Sequence, residues 1–284
     1  MSKLTWNDYM KEDILHIYDV ELPVNKNNVA ELALIGDEHF GNPVYDESKL
    51  PMKIAKSQRD YVEKNEHIKI MSMGDELELI SKRSLKHIRN SGREMLMAEE
   101  ANMYCDVWGE LFYKMVGKVT GNHELRITRE TDRMGLTGFP IIDAELIKAN
   151  KNCVIAEPER GILLRVKVGD ESYMGYFSHG TGSSTRPDYY LKKVFNVFEG
   201  IDFCAMAHIH QTFNQNYPIL DLGKRYKSPR RKSRIGIRTG TPTPYLSYAE
   251  NKLYPISEPS NMIVSFDADR KKIRVDRLMQ DRIL

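Results

Sequence analysis

The sequence predicts an α/β layered fold. Short apolar runs end in Gly-Asp or Gly-Asn pairs, and segments with apolar residues at helical spacing separate the first of these runs. Strand-like runs then dominate the second half of the chain. The 284 residues are 41% hydrophobic and 29% charged, which is typical of a globular protein and excludes collagen-like, low-complexity and wholly disordered chains.

Strands and helices alternate in the first half. The run at 29–35 is mostly apolar and stops at Gly36-Asp37, which predicts a buried strand that leads into a loop. The run at 67–73 stops in the same way at Gly74-Asp75. In chain order, the predicted elements are a strand at 29–35, a helix at 48–65, a strand at 67–73, a helix-rich stretch at 84–115 and a short strand at 117–121.

The second half is rich in short apolar and alternating runs, which favour strands. No Pro/Gly/Ser-rich linker interrupts the chain, so we expect one domain over residues 1–284, with residues 1–28 as an N-terminal extension that carries a strand. The predicted strands are 154–156, 162–168, 173–177, 203–207, 235–238, 262–266 and 273–278, with one helix near 188–197.

Several classes of protein are disfavoured by composition. The chain has no run of 18 or more apolar residues, and residues 1–20 lack the apolar segment of a secretory signal, so we expect a cytoplasmic protein with no membrane partner. Cys105, Cys153 and Cys204 lie far apart without CxxC spacing, which favours reduced thiols over disulfides or a zinc ribbon. The net charge of +2 identifies no partner.

Polar side chains with metal-binding chemistry follow the apolar runs where each run ends. Because strand ends collect side chains at one edge of an α/β fold, we expect these residues to meet. Carboxylate, imidazole and amide groups suit Mn, Fe, Zn or Ni. The five segments are Gly36-Asp37-Glu38-His39, Gly74-Asp75, Gly121-Asn122-His123-Glu124, His179-Gly180 and His208-Ile209-His210.

These side chains are enough for a site with two metal ions. Two ions about 3.5–4 Å apart clamp a phosphoryl group and lower the pKa of a bridging water. Singly, Asp37 or Asp75 could be a turn residue, and His208 and His210 share a face only if their strand continues. Together, the candidate ligands are Asp37, His39, Asp75, Asn122, His179, His208 and His210. This leaves His123 to protonate a leaving oxygen or to stabilise the charge that develops there.

In this order, the segments resemble the calcineurin-like metallophosphoesterases, whose pattern is D-x-H, GD, GNH[DE], H and [GA]-H-x-H. The resemblance implies a four-layer αββα sandwich. It also implies a bridging role for Asp75 and a leaving-group role for His123, oriented by a nearby carboxylate. The implied ligands are Asp37, His39 and His210 for the first ion and Asn122, His179 and His208 for the second.

Some details narrow the resemblance. Ser/Thr protein phosphatases carry Asp-Arg-Gly after the second segment, whereas Glu76-Leu77-Glu78 follows here, which argues against a protein phosphatase. Glu78 stands where many relatives have Asp. The segments 35–41, 121–126 and 239–245 look similar to phage and prophage-type phosphoesterases.

A basic run offers a surface for a polyanionic substrate. Residues 224–238 contain eight Lys or Arg and no acid, which suits contacts with a nucleic acid backbone, and the run follows the His208–His210 segment closely enough to border the site. The alternatives are a solvated basic loop or a subunit contact. The candidate substrate contacts are Lys224, Arg225, Arg230 and Arg231, together with Arg126, whose alternative is a surface salt bridge.

We therefore expect a metal-dependent phosphoesterase in which a metal-bridged hydroxide attacks a phosphodiester, with DNA or RNA as substrate and Mn²⁺ as metal, and with Fe, Zn or Ni as alternatives. One alternative function is a phosphodiesterase or phosphomonoesterase for a small molecule. Another is a binding module that has kept the fold without turnover.

Overall fold

The structure is a computed structural model. It describes residues 16–42, 45, 48–79, 97–125, 141–157, 159–181, 186–221, 228–243 and 258–278.

The described chain forms two six-stranded sheets. The first sheet has the order β1-β6-β7-β8-β10-β9 and the second has the order β12-β11-β2-β3-β4-β5. The strands are β1 (Ile17–Glu21), β2 (Val29–Ile35), β3 (Ile68–Ser72), β4 (Met115–Lys118), β5 (Val154–Ile155), β6 (Ile162–Val168), β7 (Glu171–Ser178), β8 (Phe203–Met206), β9 (Thr212–Asp221), β10 (Arg230–Thr239), β11 (Met262–Asp267) and β12 (Ile273–Arg277).

Helices cover the outer faces of both sheets. On the second sheet, Ala33 and Ile35 of β2 pack with the buried residues of α1, α2 and α3. On the first sheet, Cys204 packs with Leu191 and Phe195 of α4. The helices are α1 (Leu50–Lys64), α2 (Met97–Trp108), which continues as a 3₁₀ helix (Gly109–Lys114), α3 (Ile141–Ala149) and α4 (Asp188–Val197).

The main core lies between the two sheets. Leu32 and Leu34 of β2 belong to the same buried cluster as Phe177 of β7 and Phe203 of β8. Successive residues of β2 therefore point alternately to the helices and to the opposite sheet, as the pleat of a strand requires. The order helix, sheet, sheet, helix confirms the predicted αββα sandwich.

Strand direction determines where loops can meet. Strands β2, β3, β4 and β5 are parallel, as are β7, β8 and β10. The loop after β7 meets the loop after β8 through a hydrogen bond from Ala207 N–H to the His179 carbonyl at 3.0 Å. The backbone N–H of His208 reaches across to the Asp37 carboxylate after β2 at 2.8 Å. The carboxyl ends of both sheets thus face one common region.

The predicted elements agree with the structure where the hydrophobic pattern is strong. The strands at 29–35 and 67–73 and the helix at 48–65 are present within two residues of their predicted bounds. The predicted helix-rich stretch begins outside the described residues, and within it α2 changes to a 3₁₀ helix at Gly109. Strand β1 adds to β6, so the predicted strand-bearing extension joins the first sheet.

Two parts of the prediction were wrong. Strand β9 and helix α3 were not predicted, and β10 begins at Arg230 rather than at Ile235. The basic residues at 230–234 therefore lie in a strand paired with β9 and not in a loop.

No helix within the described ranges is long and apolar enough to cross a membrane.

Candidate metal centre

The candidate ligands come from the loops that follow five strands at one edge of the sandwich. Asp37 and His39 follow β2, and Asp75 follows β3. Each loop starts where a buried strand ends, so the first polar residues of the loop lie at the shared edge. The remaining side chains are Asn122 and His123 after β4, His179 after β7, and His208 and His210 after β8.

Left-handed backbone conformations direct five of these side chains. Asp37 and His39 have φ of 52° and 51°, Asp75 has 53°, and His208 and His210 have 74° and 56°. Such conformations cost non-glycine residues on the order of 1–3 kcal/mol each and cluster at functional sites. Because β8 ends at Met206, these turns, and not a continued strand, bring His208 and His210 into one centre.

Backbone hydrogen bonds fix the loops after β2 and β3 against each other. Asp37 N–H donates to the Gly74 carbonyl and His39 N–H to the Asp75 carbonyl, both at 3.0 Å. A Cβ atom at Gly121 would lie 2.1 Å from Asp75 Oδ1, so only glycine permits the loop after β4 to approach this closely. The carboxylate of Asp75 is therefore held in place from two sides.

A first cluster is formed by Asp37, His39 and His210, whose ligand atoms lie within 4.8 Å of one another. The Nε2 atoms of His39 and His210 are 3.0 Å apart, and His210 Nε2 lies 3.6 Å from Asp37 Oδ1. Asp37 is fully buried, and its Oδ1 atom has no hydrogen-bond partner among the described residues. A buried carboxylate oxygen that faces two imidazole nitrogens fits a divalent cation.

A second cluster is formed by Asp75, His179 and His208, again within 4.8 Å. His179 Nε2 lies 3.2 Å from Asp75 Oδ2 and 3.0 Å from Asn122 Oδ1. The Nδ1 atom of His179 is 2.8 Å from the Met73 carbonyl, so that nitrogen carries the hydrogen and Nε2 is left as the ligand atom. These four side chains are the donors that the resemblance assigns to the second ion together with the bridge.

Asp75 lies between the two clusters. Its Oδ2 atom is 3.9 Å from His39 Nε2 of the first cluster and 3.2 Å from His179 Nε2 of the second. It is also 3.9 Å from His123 Nε2, and its Oδ1 atom accepts the backbone N–H of His123 at 2.9 Å. The structure therefore brings all eight predicted site residues together around one carboxylate.

Burial and crowding shift the pKa values of the site. Burial raises the pKa of Asp37 to about 7. Burial alone would lower the pKa of His39, but the hydrogen bond and charge of Glu78 raise it to about 9. Burial and the charge of His39 hold the pKa of His210 well below its usual value. Because metal ligation requires neutral imidazoles, binding of a cation would displace the proton from His39.

A buried ionic cluster formed by Glu76, Lys118, Glu124 and Asp143 contacts the loop that carries Asp75. Glu124 accepts the backbone N–H of Asp75 through Oε2 at 3.0 Å and that of Leu77 through Oε1 at 3.3 Å. Lys118 Nζ lies 3.1 Å from Asp143 and 3.5 Å from Glu76. Lys118 also counters the charge of Glu124, whose pKa is raised well above its usual value by burial and by the neighbouring carboxylates. This support was not predicted from the sequence, because its members come from separate segments.

Replacement of Lys118 by methionine should destabilise the protein by about 3–5 kcal/mol, since Lys118 faces several buried carboxylates and its loss removes their compensation. Urea denaturation of the metal-free protein measures the change. The control is Lys148→Met, which removes an exposed ion pair with Glu145 of the kind that contributes about 0–1 kcal/mol. Equal stability of the two variants would show that Lys118 does not hold the cluster together.

Two further supporting contacts were not predicted. Thr241 Oγ1 donates to the Asp37 carbonyl at 2.5 Å and accepts the Thr243 N–H at 3.1 Å. Trp108 Nε1 donates to Glu38 Oε1 at 3.0 Å. Thr241 follows the end of β10, so the rule that polar residues at strand ends point to the site would have found it. No local signal identifies Trp108.

Unlike the metal ligands, the predicted substrate contacts are not brought to the site by the described part of the structure. Arg126, Lys224 and Arg225 lie outside the described residues. Strand β10 is parallel to β8, so Thr239 at its end adjoins the site, and Arg231 lies eight residues, or about 26 Å, back along the strand. The interpretation that the basic run borders the site is therefore wrong for Arg230 and Arg231.

Other members of the basic run serve packing. Arg238 is buried and donates to the Ala207 carbonyl at 3.0 Å and to the Pro187 carbonyl at 3.2 Å, behind the loop that carries His208. Arg234 donates to the Phe195 carbonyl at 3.0 Å and lies over its ring. These two arginines therefore pack within the protein, a role that was not among the alternatives considered for the basic run.

No protein-family model matches the sequence, and no curated protein does either. Solved structures of similar fold include the calcineurin-like phosphoesterase YfkN from Bacillus subtilis (10% identity, covering 88% of this chain and 91% of that one, TM-score 0.38). Others are Vps29 from Cryptosporidium parvum (16%, 88% and 96%, 0.38) and a predicted phosphoesterase from Streptococcus pneumoniae (13%, 88% and 98%, 0.34). At such low identities and TM-scores, the assignment of roles rests on this chain's own residues.

Proposed function

We propose that this protein is a phosphoesterase of the calcineurin-like metallophosphoesterase type that uses two divalent metal ions. The observation that carries the proposal is the position of Asp75, which lies between two separate clusters of metal-ligating side chains. One site would be formed by Asp37, His39, Asp75 and His210, and the other by Asp75, Asn122, His179 and His208. When bound, two such ions neutralise phosphoryl charge and lower the pKa of a water molecule.

In this proposal, His123 transfers a proton to the leaving oxygen. Its Nδ1 atom is hydrogen bonded to the Glu78 carbonyl, which fixes the ring and leaves Nε2 directed towards Asp75. Its side chain is 14% exposed, compared with 2% for Asp75, so it lies on the open side of the site. A protonated imidazole there can donate its Nε2–H to an oxygen that is losing its bond to phosphorus.

We propose a phosphodiester in nucleic acid as the substrate, and a groove beside the site supports this. The groove has a volume of about 570 Å³. Tyr45 lies at one end, where its hydroxyl donates to the Glu38 carbonyl at 2.6 Å, next to the metal ligands. Helix α1 joins the parallel strands β2 and β3, so its first residues lie at the site edge. The lining residues are Tyr45, Lys49, Met52, Lys53, Lys56, Ser57, Asp60 and Met103.

Three lysines follow one face of this groove. Lys49, Lys53 and Lys56 are spaced by four and three residues, which places them on the same side of α1, and all three are exposed. The first turn of α1 contains no acidic residue. A row of cations that leads away from a phosphoryl site suits a polyanion better than a small ester.

The triple variant Lys49→Glu/Lys53→Glu/Lys56→Glu should lower the ratio of DNA or RNA cleavage to bis-p-nitrophenyl phosphate turnover at least tenfold. It should also make polymer cleavage less dependent on salt, because each lost phosphate contact reduces the slope of log K against log salt by about 0.7–0.9. The matched control is Lys26→Glu/Lys148→Glu/Lys151→Glu, at the opposite end of the second sheet. Equal ratios for both variants would remove the groove as the polymer surface.

The test of the proposed activity is a turnover assay on metal-stripped protein reloaded with Mn²⁺. We expect cleavage of bis-p-nitrophenyl phosphate and of single-stranded DNA or RNA that requires the added metal. Turnover of the small diester alone would favour a phosphodiesterase for a small molecule. A protein that binds two Mn²⁺ ions and cleaves no phosphoester would favour the binding-module alternative instead.

A further inference from the structure

Glu78 contacts two histidines of the site with different parts of its structure. Its carboxylate Oε2 lies 3.2 Å from Nδ1 of His39, a ligand of the first cluster. Its backbone carbonyl is hydrogen bonded to Nδ1 of His123. The Asn42 amide donates to the same Oε2 atom at 2.9 Å, and the Glu78 side chain is only 16% exposed. The Glu78 carboxylate is therefore held next to the His39 ring, and only the Glu78 backbone contacts His123.

This arrangement differs from the one that the sequence predicted. The resemblance implied that a nearby carboxylate, whose residue it did not identify, orients the leaving-group histidine. In the structure the backbone carbonyl of Glu78 orients His123. The Glu78 side chain contacts His39 instead. One residue thus links the first metal cluster to the proton donor through two independent contacts.

We propose that Glu78 is a positioning residue that sets the metal affinity of the first cluster through His39, while its backbone alone orients His123. The proposal rests on the proposed function. A carboxylate 3.2 Å from Nδ1 favours the imidazole form that carries its hydrogen on that nitrogen, which leaves the Nε2 lone pair to a cation held together with Asp37 and His210. It also makes the imidazole a stronger donor to a cation. Removal of such a partner typically costs 10–100-fold in metal affinity.

The test compares Glu78→Gln with the wild-type protein by calorimetric titration of the metal-free proteins with Mn²⁺. We expect two binding events in the wild type, and in the variant a 10–100-fold weaker affinity for one of them. The kcat at saturating Mn²⁺ should fall less than tenfold, because the carbonyl that orients His123 is retained. Glu157→Gln, an exposed acid paired with Arg160, is the control.

A conservative variant sharpens the result. Glu78→Asp keeps the charge but is one methylene shorter, so it should lose contact with His39 and weaken Mn²⁺ binding as Glu78→Gln does. Wild-type affinity in both variants would overturn the proposal, as would a kcat at saturating Mn²⁺ that falls by the factor seen for His123→Ala. Thermal unfolding of the metal-free variants checks that they fold. Failure of the wild type to bind Mn²⁺ would count against the proposed function itself.

Discussion

Asp75→Asn should remove at least one of two bound metal ions and lower phosphoester turnover by about 10³-fold or more. The variant keeps the size of the side chain but loses the charge at the atom that both clusters share, 3.2 Å from His179 Nε2 and 3.9 Å from His39 Nε2. Metal ions in such sites contribute several kcal/mol of charge stabilisation, and each 1.4 kcal/mol corresponds to tenfold in rate. Mass spectrometry of the metal content and turnover of bis-p-nitrophenyl phosphate measure the two effects.

The result has a matched control. Asp60→Asn removes a carboxylate of the same type from the surface of α1, where its side chain is 52% exposed. It should leave metal content unchanged. If Asp75→Asn retained two ions and wild-type turnover, Asp75 would not be a bridge, and the two-metal assignment would fail with it.

Much of the site could be predicted because its signals are local. An apolar run followed by Gly-Asp predicts both a buried strand and a polar residue at its end, and Asp37 and Asp75 follow this rule. Strand order need not be known, since the carboxyl ends of parallel strands meet at one edge whatever their order. The metal-ligand set was therefore available before the topology, although the roles of its members stay predictions until metal is measured.

Most supporting residues could not be predicted, because their contacts join elements that are distant in sequence. Lys118 and Asp143 belong to different elements and become an ion pair only when α3 packs on the second sheet. Whether the Glu78 carboxylate contacts His39 or His123 depends on distances of a few ångströms within the folded site. Sequence patterns report which face of an element is buried, and they carry no information about which buried polar groups then touch.

The basic run shows where composition misleads. Residues 224–238 contain eight Lys or Arg and follow the His208–His210 segment, so they were interpreted as a basic loop near the site. Strand β10 instead carries Arg234 and Arg238 into packing contacts with backbone carbonyls.

His123→Ala should keep both metal ions and reduce kcat by about 10²–10⁴-fold, the usual contribution of a general acid. His123 also lies with His39 and Asp75 in a group whose ligand atoms are within 4.8 Å of one another. However, Asp37, His39 and His210 form one cluster without it, and Asp75, His179 and His208 form the other. Metal content by mass spectrometry and kcat at saturating Mn²⁺ give the two values. An empty site in this variant would make His123 a ligand.

The leaving group provides an internal check on that role. p-Nitrophenolate departs without a proton, whereas the alkoxide released from a nucleic acid strand needs one. The loss of kcat in His123→Ala should therefore be larger for DNA or RNA than for bis-p-nitrophenyl phosphate, by tenfold or more. Equal losses for both substrates, with both ions retained, would assign His123 to stabilisation of charge on the phosphoryl oxygens, because that contribution does not depend on the basicity of the leaving group.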